Sequence, residues 1–416
     1  MKKLRIKGGA RLGGEVGISG FKNAALPILY ATVLTADVSV IENIPRISDV
    51  FLTLDILKAM GAIVFFIDDH TVLVDTRPVL PCRSPDRAVS SLRASSYLLG
   101  AELARFGRTR AAIPGGCRIG ARPLDLHVLA FSALGADVTA GQGVMTAETE
   151  GLLGGRIVFP TPSVGATVNA ILVATAADGE TVIEGAACEP HIADLCAYLT
   201  ACGAAIEGGG SDRLTVRGGR PLRGTRYRIM PDMIEAGTYL AAVGATGGEI
   251  RLRGAVAAHL SSAICVARTM GIEIAEDAEG LLVRREGELA PLSLTAEPYP
   301  GFPTDLHPQF AALATQASGR SVLKDAVFPE RFGYASELRR MGGCLERTAD
   351  GIAVIPSSLT GARVRAVDLR AGAAEVVAAL AAKGTTEILE AEVLERGYET
   401  LAEKLCALGA TVVGKG

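Results

Sequence analysis

The sequence has no long apolar segment. No run of apolar residues approaches the roughly 18 residues that a membrane-spanning helix needs, although the mean hydropathy is +0.32. The N-terminus carries Lys2 and Lys3 but no apolar stretch after them, so we expect no signal peptide. These absences predict a cytoplasmic protein with no membrane partner.

Neither sign of charge is in large excess, and the cysteines are not arranged for metal binding. The chain has 42 basic and 45 acidic residues and a formal net charge of −3, so it has no broad basic field for nucleic acid. None of its eight cysteines lies at a CxxC or Cys/His zinc spacing. We therefore expect no metal site and reduced thiols, most of them small buried hydrophobic residues.

What the chain does contain is an internal repeat. A glycine follows an amphipathic stretch six times, at intervals of 74, 68, 68, 71 and 67 residues. The six positions are Gly61, Gly135, Gly203, Gly271, Gly342 and Gly409. A fixed period of this kind is typical of a repeated supersecondary unit.

The first repeat predicts the structure of the unit. Residues 24–30 and 48–57 have helical spacing of apolar residues, and Gly61 would end the second helix as its C′ residue. Residues 38–41, 63–67 and 72–74 are typical of short strands. The unit is thus helix, strand, helix, strand, strand. An open solenoid is the less favoured alternative, because solenoid repeats are usually shorter than about 50 residues.

Six units favour an α/β fold of two similar domains, each with three units around a shared core. Residues 1–21 precede the first helix and would complete the sixth unit, which makes the second domain discontinuous. The predicted domains are 22–229 and 1–21 plus 230–416.

The start of each unit's first helix carries an unusual set of residues. They are Lys22, Arg93, Gly165, Asp232, Asp305 and Arg370. A solvated helix start favours Ser, Thr, Asp or Asn, and a cation there opposes the helix dipole. An anionic substrate held between the domains would explain three cations at one register; the alternative is that they are solvated surface charges.

A glycine-rich loop, residues 111–123, contains the most distinctive cysteine. Arg118 and Arg122 flank Cys117, and cations near a thiol lower its pKa, which favours a reactive role over a structural one. Asp305 opens a helix, where it is either a general base or an ordinary N-cap. Arg331, Arg370 and Arg396 each have an acidic neighbour in sequence with which they could simply pair.

At these motifs the chain resembles the UDP-N-acetylglucosamine enolpyruvyl transferases over nearly its whole length. The matching segments include residues 21–27, 92–95, 114–123, 163–167, 300–305, 368–371 and 396–399. The resemblance implies a fold of two inside-out α/β barrel-like domains, each of three βαβαββ-type units, with the active site in the cleft between them. It implies transfer of the carboxyvinyl group of phosphoenolpyruvate to the 3-hydroxyl of UDP-N-acetylglucosamine with release of phosphate, the first committed step of peptidoglycan precursor synthesis. No cofactor is implied, and we expect a monomer or weak homo-oligomer.

The same resemblance implies roles for individual residues. Cys117 would donate the proton to the methylene carbon and would be the target of fosfomycin, while Asp305 would accept the proton of the sugar hydroxyl. Cations would hold phosphoenolpyruvate: Lys22, Arg122 and Arg396 at its phosphate, with Arg93, Arg331 and Arg370 completing the site. The nucleotide sugar would contact Asn23, Asp305, Arg122, Pro123, Leu124, Asp125, Leu126, Ser163, Val164, Gly165 and Val327.

Two other functions stay open at the level of the sequence. The chain departs from the family pattern at Ser48, at Pro329-Glu330 and at residues 393–395, which leaves room for a divergent, non-catalytic paralogue that binds a nucleotide sugar or a partner protein. The other alternative is an enolpyruvyl transferase on the same fold that acts on a different acceptor.

Overall fold

The computed structural model describes residues 2–80, 96–112, 124–141 and 144–415. Its α-helices are α1 Lys22–Ala31, α2 Ser48–Ala59, α3 Ser96–Phe106, α4 Asp125–Ala133, α5 Val164–Ala176, α6 Pro190–Ala201, α7 Met233–Thr246, α8 Ser261–Thr269, α9 His307–Ala314, α10 Tyr334–Arg340, α11 Leu369–Ala381 and α12 Leu401–Ala407. None of these described helices is long and apolar enough to cross a bilayer.

The strands of the first half of the chain are β1 Lys3–Lys7, β2 Leu12–Gly17, β3 Val38–Glu42, β4 Ile63–Asp68, β5 Thr71–Asp75, β6 Arg108–Ala112, β7 Asp137–Gly141, β8 Val144–Glu148, β9 Arg156–Val158, β10 Glu180–Glu184, β11 Ala205–Glu207 and β12 Arg213–Arg217. The remaining strands are β13 Arg226–Arg228, β14 Gly248–Arg253, β15 Glu273–Asp277, β16 Gly280–Arg285, β17 Ser293–Ala296, β18 Ser321–Asp325, β19 Cys344–Arg347, β20 Gly351–Ile355, β21 Arg363–Arg365, β22 Thr385–Leu389 and β23 Thr411–Lys415.

The six repeats form six small sheets, which confirms the predicted α/β units. In the first repeat, α1, β3, α2, β4 and β5 follow in the predicted order, and β5 pairs antiparallel with both β3 and β4. All six repeat glycines have positive φ, from 88° at Gly409 to 108° at Gly203. Each adopts the left-handed conformation of a C′ residue, which glycine reaches without steric cost, so the helix ends where the sequence predicts.

A fourth strand pairs in parallel with the first strand of the unit in most sheets. Three units use the strand just before their first helix: β9 pairs with β10, β17 with β18 and β21 with β22. The other two described pairs come from distant parts of the chain, because β13 joins β3 and β2 joins β14. These two long-range pairs join the ends of each set of three units.

The N-terminal segment enters two different sheets. Strand β1 pairs with β22 and β23 and so completes the sixth unit, as the sequence predicts. Strand β2 instead joins the sheet of the fourth unit, which the sequence analysis did not predict. The reason is that the strand just before the fourth unit, β13, has already paired with the first unit.

The described residues divide into two compact bodies: residues 20–80, 96–112, 124–141 and 144–230 form the first body, and residues 2–19 with 231–415 form the second. The divisions therefore fall one or two residues from the sequence-based boundaries of 22–229 and 230–416. Phe21 belongs to the first body because its N–H donates to Met230 O at 2.8 Å and its ring packs edge-on against His191.

Helices form the interior of each body and the sheets flank them. In the second body, α7, α9 and α11 pack against one another, and α7 is buried on all sides. Small residues permit this close packing. A Cβ at Gly237 would collide with the side chain of Leu306, in the turn before α9, so a larger residue would displace that side chain.

Candidate functional site

A buried cluster of opposite charges lies in the second body. Arg331 Nη1 lies 2.8 Å from Asp305 Oδ1, and Arg370 Nη2 lies 2.9 Å from Asp305 Oδ2. The two arginine side chains are 5% and 4% exposed, whereas that of Asp305 is 27% exposed. The residues come from the turn before α9, the loop after β18 and the first turn of α11. The fold thus brings together three residues that are far apart in sequence.

The arginine from the loop is oriented by a chain of hydrogen bonds. Arg331 Nη1 also donates to Thr304 Oγ1 at 3.0 Å, and Thr304 Oγ1 donates to Asp325 Oδ2 at 2.6 Å. The other oxygen of Asp325 accepts from the backbone N–H groups of Val327 and Phe328 at 2.9 and 2.8 Å. Asp325 therefore fixes both the loop that carries Arg331 and the position of Val327.

The arginine on α11 is held from its other side. Asp368 caps α11, with its side chain accepting from the backbone N–H of Arg370 and of Ala371. Arg370 Nη1 donates to Tyr398 Oη at 3.5 Å, and that hydroxyl lies 2.9 Å from Thr238 Oγ1. This support aims the guanidinium of Arg370 at Asp305 and limits its freedom to move.

Electrostatics fix the charge state of the cluster. Burial by itself would raise the pKa of Asp305, but Arg370 and Arg331 outweigh burial and hold that pKa well below its ordinary value. Burial, together with the charge of Arg331, lowers the pKa of nearby His307 to about 3. At neutral pH the cluster is therefore one carboxylate between two cations beside a neutral imidazole.

Two alternatives raised by the sequence are wrong. Asp305 is not an N-cap, because neither the 3₁₀ turn Thr304–Leu306 nor α9 has a side-chain cap. Arg331 does not pair with its acidic neighbour, since Glu330 pairs with Arg347. Residues 329 and 330 form a turn in which Arg331 N–H donates to Phe328 O at 2.9 Å, so proximity in the chain was a poor guide to ion pairing.

The first body carries a second buried ion pair. Lys22 is the first residue of α1, and its Nζ lies 2.6 Å from Oδ2 of Asp49 on α2. Their side chains are 14% and 5% exposed, so Lys22 is not a solvated surface charge. Asp49 offsets the unfavourable position of a cation at a helix N-terminus.

The first body also holds a buried histidine beside the start of α5. Asn169 Oδ1 accepts from Gly100 N–H at 3.1 Å, and Asn169 Nδ2 lies 2.8 Å from His127 Nδ1. Burial lowers the pKa of His127 to about 4, so the ring is neutral. The amide orientation makes Nδ1 the acceptor, which places the ring proton on Nε2. A Cβ added to Gly165 would lie 3.4 Å from that Nε2 atom.

Other predicted site residues occupy the starts of helices in the first body. Ser163 caps α5 by accepting from Ala166 N–H at 3.4 Å, with Val164 and Gly165 in the first turn. Leu124 precedes α4, with Asp125 and Leu126 as its first residues. Asn23 is the second residue of α1.

The described part of the chain does not include every predicted site residue. Arg396 is half-buried at the end of the 3₁₀ segment Ala391–Arg396 in the second body. Four predicted residues lie outside the described ranges: Arg93, Cys117, Arg122 and Pro123. Within those ranges, no group of His, Cys, Asp or Glu side chains is placed to hold a metal ion.

Sequence reasoning missed the residues that orient the site. Tyr398 lies in the matching segment 396–399, but its contact with Arg370 was not predicted. Asp49, Asn169 and Asp325 stand in no recognisable motif, and each acts through contacts with another element. Their one available signal was a polar residue at an otherwise apolar position of a helix or strand. Asn169, within the apolar helix α5, is the clearest example.

Comparison with known proteins places this geometry in context. Residues 6–405 match the family model described as EPSP synthase (3-phosphoshikimate 1-carboxyvinyltransferase). A UDP-N-acetylglucosamine 1-carboxyvinyltransferase of Halothermothrix orenii is 44% identical over 412 residues, which cover 99% of each chain. A second relative, UDP-N-acetylglucosamine 1-carboxyvinyltransferase 2 of Bacillus subtilis, is 43% identical and covers 99% of this chain and 96% of its own.

Solved structures share the fold over the full length. The enolpyruvyl transferase NikO of Streptomyces tendae superposes with a TM-score of 0.90 at 27% identity, covering 100% of this chain and 99% of that one. An EPSP synthase of Acinetobacter baumannii gives a TM-score of 0.77 at 18% identity with complete coverage of both chains. The second likeness concerns the fold alone.

Proposed function

Because this chain belongs to the EPSP synthase family and groups with its UDP-N-acetylglucosamine 1-carboxyvinyltransferases, we propose that it transfers the enolpyruvyl group of phosphoenolpyruvate to the 3-hydroxyl of UDP-N-acetylglucosamine and releases phosphate. The reaction would take place in the cytoplasm as the first committed step of peptidoglycan precursor synthesis. Relatives at 42–44% identity carry that name over nearly their whole length, which supports this acceptor over others.

The observation that carries the proposal is the pair of buried arginines on Asp305. Two guanidinium groups lie 2.8 and 2.9 Å from one carboxylate, and such a pair would suit an anion with two negative oxygens. Phosphoenolpyruvate presents such groups at its carboxylate and its phosphate. Preorganised cations stabilise the negative charge that gathers on these groups as phosphate leaves.

The same contacts oppose the role of Asp305 as a base until substrate binds. A carboxylate whose pKa is held low by two arginines is a weak proton acceptor. An anionic substrate that draws Arg331 or Arg370 away would raise the pKa of Asp305 toward its ordinary value. Binding of phosphoenolpyruvate would thereby prepare Asp305 to accept the proton of the sugar hydroxyl.

The remaining roles are proposed from the family resemblance. Lys22, Arg122 and Arg396 would hold the phosphate. Ser163, Val164 and Gly165, at the start of α5, would contact the nucleotide sugar with Asn23, Pro123, Val327 and residues 124–126, and Arg93 would add a further cation. The neutral His127 would orient this part of the site through its Nε2–H.

Cys117 would deliver the proton to the methylene carbon of phosphoenolpyruvate, and it would be alkylated by fosfomycin. A phosphonate held by the cations would place its epoxide beside the thiol, so attack becomes proximity-assisted. We expect labelling at Cys117 that UDP-N-acetylglucosamine accelerates and that Cys117→Ser abolishes, as read by peptide mass spectrometry. Equal labelling of several of the eight cysteines would contradict this role.

The reaction itself is tested by phosphate release. We expect release from phosphoenolpyruvate that depends on UDP-N-acetylglucosamine and a product whose mass exceeds that of the sugar nucleotide by one carboxyvinyl group. Shikimate 3-phosphate serves as the alternative acceptor. Release with shikimate 3-phosphate alone would assign a different transferase activity, and no release with either acceptor would favour a non-catalytic paralogue.

A further inference from the structure

The outward face of strand β4 is apolar and exposed. Ile63, Phe65 and Ile67 alternate along the strand and are 54%, 52% and 51% exposed. Phe65 pairs with Leu73 of β5, and Leu73 pairs with Val40 of β3, both half-buried on the same face. A continuous apolar surface therefore crosses three strands of the first sheet. None of the residues that form it is assigned to the proposed active site.

The repeated architecture supplies internal comparisons for this face. The other edge strands in the described residues present charged or polar side chains outward: Glu15 on β2, Arg108 on β6, Asp137 on β7, Arg156 on β9, Glu207 on β11, Arg226 on β13, Glu273 on β15, Thr295 on β17, Glu346 on β19 and Arg363 on β21. Val158 on β9 and Val413 on β23, opposite Arg5 of β1, are each exposed as single apolar residues. An apolar stripe on β4 is thus not a requirement of the unit, since equivalent strands fold without one.

Strand β4 also leaves one backbone edge open. It is the last strand of its sheet, in the order β13, β3, β5, β4, and no strand among the described residues pairs with its outer edge. Proteins usually protect such edges with charged residues, but residues 63–67 carry none. The pairing with β5 is regular over residues 63–66, and a bulge at Ile67, between Phe66 and Asp68, ends the regular stretch.

We propose that β4 is a dimerisation edge, at which it pairs antiparallel with β4 of a second copy of this chain. The sequence Ile-Val-Phe-Phe-Ile reads nearly the same in both directions about Phe65. A twofold axis at Phe65 places that ring against its symmetry mate, and Ile63 against the partner's Ile67. A twofold interface must be self-complementary in this way.

The charges flanking the strand are compatible with this pairing. In the same register Asp68 lies opposite the partner's Ala62, so no like charges meet. The other candidate edges are less suited: self-pairing of β15 about Ala275 would bring Glu273 against the partner's Asp277, which is unfavourable for directly opposed side chains. A single strand pair gives a small interface, so the dimer dissociates on dilution.

Sedimentation velocity over a wide concentration series tests the proposal. We expect wild type to shift from monomer to a discrete dimer as concentration rises, and Phe65→Glu to remain monomeric with unchanged phosphate release. The matched control is Thr139→Glu, at the exposed middle position of edge strand β7, which should dimerise like wild type. A wild type that stays monomeric throughout, or a dimer that survives Phe65→Glu, would overturn the proposal.

Cysteine cross-linking tests the register. Phe65→Cys places two thiols across the twofold axis, within reach of a disulfide, and should give a covalent dimer on mild oxidation. Ile63→Cys faces the partner's Ile67 and not itself, so it should cross-link no more than wild type, whose exposed Cys265, Cys344 and Cys406 set the background. Equal cross-linking of both variants would reject pairing centred on Phe65.

Discussion

At the residue scale, each described cation at a helix start is compensated by a carboxylate from another element. Lys22 at the start of α1 pairs with Asp49 of α2, and Arg370 at the start of α11 pairs with Asp305. The helix dipole alone would disfavour both positions. The carboxylates keep buried cations in place, and in the proposed reaction a substrate anion would recruit them.

Asp305→Asn tests this view of the cluster. The change leaves Arg331 and Arg370 buried without a full negative charge, so we expect the free energy of unfolding to fall by about 2 kcal/mol, discounted for the partial exposure of Asp305. Added inorganic phosphate should raise the melting temperature of the variant more than that of wild type, because an anion then satisfies both arginines.

The control for Asp305→Asn is Glu330→Gln, which removes a carboxylate that is 83% exposed in its pair with Arg347. It should leave both melting temperature and phosphate response unchanged. An Asp305→Asn variant that gains no extra stabilisation from phosphate would show that the arginines do not form an anion site.

Gly165→Ala tests the proposed nucleotide-sugar site at the start of α5. The new methyl group would stand 3.4 Å from the ring of His127, a contact that the fold tolerates, and alanine favours the helix. We expect KM for UDP-N-acetylglucosamine to rise about tenfold, with KM for phosphoenolpyruvate and the melting temperature little changed. The control is Gly287→Ala, because no atom lies within 4 Å of a Cβ at that position. An equal rise in KM for UDP-N-acetylglucosamine and for phosphoenolpyruvate would contradict the assignment.

At the element scale, the capping residues at helix starts both stabilise the helix and position proposed site residues. Asp368 caps α11 with contacts of 2.8 and 3.1 Å to the N–H groups of Arg370 and Ala371, and Ser163 caps α5 with one contact of 3.4 Å. Each cap satisfies backbone donors that would otherwise lack partners. Because proposed site residues follow each cap directly, the caps also fix the geometry of the site.

Alanine at these two caps should have unequal effects. Asp368→Ala removes two good hydrogen bonds and should cost about 1–2 kcal/mol, whereas Ser163→Ala removes one long bond and should cost about 0.5 kcal/mol. Urea denaturation followed by circular dichroism measures both. A larger cost for Ser163→Ala would show that capping geometry does not set the stability of these helices.

At the scale of the whole molecule, buried carboxyl groups make stability depend on pH. Burial raises the pKa of Glu102 to about 7, partly offset by a hydrogen bond from Thr109, and burial raises the pKa of Asp232 to about 7. Both groups bind a proton more tightly in the folded chain than in the unfolded chain. Their contribution to stability is therefore complete at acid pH and is lost as pH rises.

The melting temperature should accordingly fall as pH rises from about 4.5 to about 7 and then level off, since the unfolded groups titrate near pH 4. Glu102→Gln removes one of these titrating carboxyl groups, so its melting temperature should fall less steeply with pH. Differential scanning calorimetry across this range measures both, with Glu207→Gln, on an exposed carboxylate, as control. A slope identical in wild type and Glu102→Gln would show that Glu102 does not titrate with folding.

The sequence by itself determined the six units, their helices and strands, and the glycines that end the helices, because all of these depend on local periodicity and backbone conformation. It also marked the register at which Lys22, Asp305 and Arg370 stand. Only the tertiary structure decided that β2 joins the fourth unit, that Arg331 and Arg370 converge on Asp305, and that Asn169 orients His127. These are contacts between segments distant in the chain, and their choice depends on packing and burial that no local pattern encodes.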